Sequence, residues 1–540
     1  MRIRAAAITD DSLGETRPEQ PRAGIQVLNQ LTKQHGSLRR LLSVDLRALG
    51  AFRIALGILL AVDVLSRSVD LRAHYTDFGV LPIGPFVDQI DGALRISLHF
   101  ANGTTGWQAF LFALMLLASL CVMAGYRTRL ATVTAWVLLV SLHNRNPMVL
   151  NGGDVLLRML YFWGMFLPLG ERYSIDNALT TGPRRSENAW FGGASAGLVL
   201  QVAVLYLCTA LLKNGREWWP EGNAVLYSLS HQEFAAGFGR WLTQWPGLLR
   251  AITYIVYFLE LGAAFLILCP LYHTWLRTMA VLSLVGLHLG IGVSMRLGSF
   301  PWIDIASLIP LLPGAICDRI AARWSRAERA GLGDRLHDMV ARCRVALGPL
   351  AEKVLPYRER GPSEPSLAAQ VLVIFFIGYI GLWNLKGLPE SDVTIPPAWT
   401  QLVHVLRIDQ RWAMFAPQPS SEGGWFVIPG ELKDGTQVDV LRRLEQPVDF
   451  SLPRDVFETY ANIRWRKYLT NLRDRNRKEH RLYYGKWLCR SWNEHRDEAK
   501  KLASFDIIFM RMRSVLPGQE GTPERQVLWH HECFKRASEP

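Results

Sequence analysis

The sequence predicts a mainly α-helical, polytopic membrane bundle of about eight or nine spans, followed by a small extracytoplasmic α+β domain. Three observations carry that prediction. Of the 540 residues, 49% are hydrophobic although 20% are charged. The mean hydropathy of +0.10 then points to a mosaic of dense apolar blocks and charged segments. The blocks approach the ~20 residues that cross a hydrocarbon core of ~30 Å. Beyond Leu385 the pattern changes to short apolar alternations with turn signals.

Residues 1–45 carry Arg2, Arg4, Arg17, Arg22, Lys33, Arg39 and Arg40. They lack the apolar core of a signal peptide and read as a cytoplasmic basic tail. A transmembrane domain over residues 46–313 follows. Its spans are expected at Leu46–Leu65, Trp107–Ala124, Leu130–Leu142, Val155–Leu169, Ala194–Leu212, Ile252–Leu268 and Trp275–Val293, with Trp302–Leu312 as a return span. Residues 314–367 form a basic segment with ten Lys and Arg, among them Arg319, Arg323, Arg326, Arg329 and Arg335. An amphipathic helix on the inner leaflet suits that composition. The last span is 368–385, and the α+β domain is 386–540.

With the N-terminus inside, Arg127, Arg129, Arg172, Arg184, Arg185 and the basic segment all fall on the cytoplasmic side, as the positive-inside rule asks. The expected location is therefore the cell (plasma or inner) membrane, multi-pass, with the lipid bilayer as partner and residues 386–540 outside. The net charge of +13 belongs with topology and anionic lipid rather than nucleic acid, because no zinc spacing or RNA-binding motif is present. The seven cysteines include no CxxC pair, and no histidine set supports a bound metal. Cys489 and Cys533 lie in the C-terminal domain, where an oxidising compartment allows a disulfide. In that domain, GWFVIPGEL-KDG-TQVDVLRR reads as a hairpin turning at Asp434–Gly435. Residues 455–474 and 485–501 read as helices, and FDIIFMRMRSV and RQVLWHHECF as later strands.

Ionisable residues inside a membrane are costly and mark function or pairing. Arg53 lies in the first span. Asp154 and Arg158, four apart, are expected to pair on one helix face. Glu260 needs a cation, for which Lys213, Arg158 and Arg296 are candidates. His288 lies in the seventh span and reads either as a hydrogen-bonded core residue or as a functional one. In YLCTALLKNGREWWPEG, Tyr206–Gly222, Lys213 ends an apolar run and meets Trp218 and Trp219. Lys213 either snorkels to water or is a base held in a dry pocket. The predicted topology brings Lys213, Asn151 with Asp154, and the Met295–Phe300 tip to one membrane face.

These stretches resemble a known family. The Lys213 stretch resembles the segment of the vitamin K-dependent γ-carboxylase that carries its catalytic lysine. FLELGAAFLIL resembles the next helix, with Glu260 at an acidic position. HLGIGVSMRLGSF is similar to a third, matching at His288, Gly298 and Phe300. HNRNPMVLNGGD, LYFWGMFLPLG and the RIALG of the first span resemble the bacterial HTTM group of carboxylase-like membrane proteins. WAMFAPQP, Trp412–Pro419, and YANIRWRKYL, Tyr460–Leu469, resemble segments that follow the HTTM core. A further histidine of the animal enzyme has no clear match, and Asn151 lies in its region.

The resemblance implies a membrane enzyme that uses reduced vitamin K or menaquinol, O2 and CO2 to carboxylate a glutamyl side chain of an exported peptide or protein, with coupled quinone epoxidation. Lys213 and His288 are then catalytic. Asn151, Asp154, Arg158, Trp218, Trp219, Glu260, Arg296 and Phe300 are candidates for the substrate or cofactor pocket, with Trp218 and Trp219 lining the quinone mouth or anchoring at the interface. Two other readings stand beside it: a maturation or accessory factor for an exported peptide, without carboxylation, and a transporter. Against the transporter, the sequence shows no internal repeat and no matched pair of broken spans.

Overall fold

The computed structural model describes residues 36–88, 94–181, 186–323, 326–359, 366–420, 422–513 and 522–534. Arg2, Arg4, Arg17, Arg22, Lys33, Arg184 and Arg185, and the side chains of Arg326 and Arg329, lie outside the described residues. The chain divides into two units, Met1–Leu41 and Leu42–Pro540. Of the first, only helical residues 36–41 are described. The rest of the description concerns the second.

Its long helices are α1 (Leu46–Ser68), α2 (Thr105–Ala124), α3 (Thr128–Arg145), α4 (Gly152–Gly164), α5 (Gly193–Leu212), α6 (Pro246–Leu268), α7 (His273–Ser294), α8 (Phe300–Leu308) and α9 (Leu367–Lys386). Six are long and apolar enough to cross a membrane among the described residues: α1, α2, α5, α6, α7 and α9. They become seven if Phe300–Leu311 with Gly314–Arg323 counts as one span, but that pair is bent by 97°. Against the expected eight or nine spans, the described residues thus supply six or seven candidates by length and composition. The fourth expected span is only 13 residues of helix, about 20 Å at 1.5 Å per residue. A capping box opens it at Gly152, where Asn151 Oδ1 accepts from the Gly153 and Asp154 amides and Asp154 Oδ2 accepts from the Asn151 amide, and it ends at Gly164, short of the expected Leu169. The basic segment after α8 is helical at Gly314–Arg323 and Arg326–Leu347.

Local chemistry explains the element ends. Gly125 closes α2 in the left-handed region at φ +69°, where a side chain is disfavoured. Its amide and that of Tyr126 cap the last carbonyls. Arg53 completes this end from α1, donating at 2.8 Å to the Val122 carbonyl and at 2.6 Å to that of Met123. The first-span arginine is thus a helix cap. Along α1, Leu49, Phe52, Leu56 and Leu60 form a fully buried stripe at helical spacing. Helix α6 packs between α5 and α7, and α8 packs against α7 and α4. Ile255 and Phe265 on α6, and Leu282 and Val293 on α7, are more than half exposed, an apolar surface suited to lipid.

The C-terminal part is a five-stranded antiparallel sheet: β1 (Glu422–Val427), β2 (Pro429–Leu432), β3 (Gln437–Asp439), β4 (Leu502–Arg513) and β5 (Glu524–Glu532). The long β4 takes β1 and β2 along one edge and β5 along the other, and β3 closes against β2. The β2–β3 hairpin turns at Asp434–Gly435, with Gly435 at φ +82°. Helices α10 (Ile463–Leu472) and α11 (Lys478–Asn493) cover the sheet. Cys489 and Cys533 form a disulfide with a Cα separation of 5.5 Å. The sheet core of Phe426, Ile508, Tyr468 and Trp492 continues into Val80, Met148 and Val149 of the helical part. That shared core makes one unit of the two.

Candidate functional site

Two groups of buried charge lie near the end of the bundle where α4 begins and α5 ends. The first is built by α10. Asn462 caps this helix, and the next turn directs Arg464 inward. Arg464 donates to Asp154 at 2.5 and 2.8 Å, to Asp63 at 2.7 Å and to the Val149 carbonyl at 2.9 Å. Arg67 bonds Asp63 at 2.7 Å, Asp154 at 2.6 Å and the Tyr75 hydroxyl at 2.9 Å. Two guanidiniums and two carboxylates thus neutralise each other.

Asp154 therefore does not pair with Arg158, as their spacing suggested. Arg158 turns to the other side of α4, donating to His143 Nδ1 at 3.0 Å and to the Asp409 and Arg407 carbonyls. The HNRNP run is structural in the same way. Arg145 holds the Tyr75 and Leu81 carbonyls, and Asn146 holds that of His74.

The second group surrounds a cavity of about 540 Å³ between α5, α6, α7 and α8. Lys213 stands where α5 stops, 4% exposed. Its Nζ donates to Glu260 of α6 and lies 4.2 Å from the centre of the Trp218 ring. Of the three cations considered for Glu260, Lys213 is the partner. Across the cavity, His288 Nε2 meets the Tyr206 hydroxyl at 2.9 Å. Asp304 of α8 is fully buried; its Oδ1 lies 3.9 Å from His288 Nε2. Among the described residues, neither Asp304 oxygen, nor His288 Nδ1, has a hydrogen-bond partner. Leu249, Leu259, Leu287, Phe300 and Met414 supply an otherwise apolar wall.

Lys213, Trp218, Glu260, His288 and Phe300 thus come together. Trp218 is buried at 3% exposure, its indole donating to the Phe415 carbonyl, so it is part of the wall and no interface anchor. Trp219 is 55% exposed and packs its edge on Tyr254 and Phe258. Arg296 leaves the cavity to pair with Asp455 at 2.9 Å. Asn151 lines a neighbouring chamber, while Asp154 and Arg158 line neither cavity.

Sequence reasoning missed Tyr206, Asp304, Met414 and Phe415 as site residues. Tyr206 and Asp304 carried a signal as polar groups inside apolar runs. Met414 and Phe415 lie in WAMFAPQP, whose recurrence behind the helical core was the only hint. A larger cleft of about 700 Å³, lined by Thr128, Arg129 and Asp176, lies at the opposite helix ends and holds none of the candidate residues.

Long apolar helices around a largely apolar cavity with a partly unsatisfied polar cluster define a helical membrane protein with an internal site. The chain belongs to the HTTM domain family, whose model matches residues 42–312. That match covers every helix lining the Lys213 cavity. No curated protein and no solved structure matches the chain.

Proposed function

We propose that this protein is a γ-glutamyl carboxylase-like membrane enzyme working on a reduced naphthoquinone, with Lys213 as its base. The observation that carries the reading is the Lys213–Glu260 pair at the rim of an apolar cavity whose far wall holds Asp304 and His288 Nδ1 without partners. The residues fit such a cofactor: a flat apolar bicycle suits the wall, and its two hydroxyls suit the unpartnered polar atoms. When bound, the hydroquinone supplies with O2 the strong base that a glutamyl γ-carbon requires, which no side chain can supply.

The chain's own residues have definite tasks in this reading. Moving one proton from the Lys213 ammonium to Glu260 leaves an amine and a carboxylic acid with no change in net charge. The free amine then accepts a hydroxyl proton at Nζ, and Trp218 keeps the nitrogen in place. The Tyr206 hydroxyl fixes the His288 ring through Nε2, which leaves the buried Nδ1 as the ring's remaining donor or acceptor. Phe300, Met414 and Phe415 exclude water, which would quench a strong base.

The C-terminal sheet is read as extracytoplasmic and the membrane as the cell's own. The Cys489–Cys533 disulfide supports an oxidising compartment, and the basic helices after α8 support a cytoplasmic location for that segment. The test is quinone epoxide formation by the purified protein in lipid nanodiscs with reduced menaquinone and O2, read by mass spectrometry. Epoxide from the wild type and none from Lys213→Ala is expected. No epoxide from folded wild type, with and without glutamyl peptides, would move the assignment to an accessory role for an exported peptide.

A further inference from the structure

A second chamber, of about 440 Å³, adjoins the Lys213 cavity. The two share a partition: Ser228, Leu297, Phe300, Met414 and Phe415 line both. On the far side of the partition, α10 presents two cations side by side, Arg466 and Lys467. Arg466 is 5% exposed. Its guanidinium stacks on Phe234 with 4.3 Å to the ring centre, and its Nε has no hydrogen-bond partner. Among the described residues no carboxylate lies within ion-pair distance of Arg466 or Lys467, whereas Arg464, two residues earlier on the same helix, is fully paired.

One buried carboxylate stands nearby. Glu233 accepts from Thr470 Oγ1 at 3.3 Å, and its Oε1 is unpartnered. Two cations against one carboxylate leave a single positive charge uncompensated. Burial pushes both cations down from their ordinary values, and for Lys467 the Arg466 charge beside it adds to the effect. An incoming anion would remove that penalty. His231 completes the wall: its Nε2 lies 3.2 Å from the Glu422 carbonyl. A neutral ring donating there keeps the buried Nδ1 as an acceptor for a ligand hydroxyl or amide.

We infer that this chamber is an anion subsite: Arg466 and Lys467 hold the carboxylate of a ligand whose apolar part lies on Phe300, Met414 and Phe415, against the partition to Lys213. The inference stands on the unpaired cations and the shared wall, and does not depend on carboxylation being the reaction. A carboxylate can come from a free organic acid or from a peptide side chain, so two probe pairs separate the sources. One is phenylacetate with neutral phenylacetamide. The other is N-acetyl-glutamyl amide with its glutaminyl counterpart.

Binding to the full chain in nanodiscs is read by saturation-transfer NMR with competition. At least one acid should bind about tenfold more tightly than its amide, a difference of ~1.4 kcal/mol. The preference should disappear in Arg466→Gln/Lys467→Gln, return in part in Arg466→Lys, and survive in Lys213→Met/Glu260→Gln. Preference for phenylacetate alone assigns the site to free acids, and preference for the glutamyl probe alone to peptides. No preference in the wild type overturns the inference. So does a preference that persists in folded Arg466→Gln/Lys467→Gln, or one that is lost with Lys213.

Discussion

The Arg464 cluster and the Lys213 cavity are both buried, both charged, and both near the same end of the bundle, yet they are built to opposite ends. In the first, Arg67 and Arg464 share Asp63 and Asp154 through bonds of 2.5 to 2.8 Å that satisfy all four side chains, although Asp63 and Arg464 also line a cleft of about 580 Å³. In the second, one ion pair sits at the rim of empty space, and Asp304 faces His288 with both carboxylate oxygens unpartnered. Buried charge alone therefore does not mark a reactive site. Both border a cavity, and what distinguishes them is leftover hydrogen-bonding capacity, present around Lys213 and absent from the Arg464 cluster among the described residues. The cluster joins α10 to α1 and α4; the cavity is the place proposed for chemistry.

The largest expected effect falls on the cavity. Lys213→Met with Glu260→Gln, which leaves neither partner charged, should lower epoxide yield by about 10²–10⁴-fold, the usual worth of a positioned base. The thermal midpoint should stay close to wild type. A large drop in midpoint would mean that the pair is structural like its neighbour. Next comes Arg464→Met, which leaves three charged groups where four balanced. It should cost about 3–5 kcal/mol, read as a lowered midpoint of the whole Leu42–Pro540 unit, and an unchanged midpoint would end the view that this cluster joins sheet and helices.

The third effect is an acid-side loss of stability at His74, which is buried against the cluster with its ring 4.2 Å from that of Trp465. Burial first, then the Arg67 and Arg464 charges, lower its pKa from 6.5 to about 3. A depressed histidine resists protonation when folded but not when unfolded. Stability is therefore full above pH ~6.5 and falls with pH toward ~3. Between pH 7 and 5 the loss should be about 2 kcal/mol, and His74→Phe should flatten that part of the profile. The smallest effect is Asn151→Ala, which removes the α4 cap at a cost of about 1 kcal/mol. If Asn151 contacts the ligand instead, its loss should weaken probe binding while the midpoint hardly moves.

Much of the helical part was legible because helix formation follows local periodicity. The apolar runs around Leu46, Gly193 and Pro246 are long and predominantly apolar, and Lys213 marks the end of its run in the sequence as it does in the fold. The hairpin at Asp434–Gly435 was equally local: a left-handed turn position with glycine in it. The span count was less legible, because Val155–Leu169 is apolar enough to cross but its helix stops at Gly164. A hydropathy pattern does not register where the backbone stops being helical.

By itself, the sequence determined an apolar helical bundle with Lys213 at a helix end, Glu260 and His288 inside neighbouring helices, and a β-rich C-terminal part. Those features depend on residues within a few turns of each other. Only the tertiary structure decided which charges meet. Asp154 passes over Arg158, four residues away on its own helix, for Arg464 at a separation of 310 residues. The geometry of α4 turns Arg158 toward Arg407 and Asp409. It likewise decided that Met414 and Phe415 line the Lys213 cavity and that Arg466 has no carboxylate within ion-pair distance among the described residues. Pairing between buried charges is set by distance and desolvation in three dimensions, and sequence spacing constrains it only along a single helix.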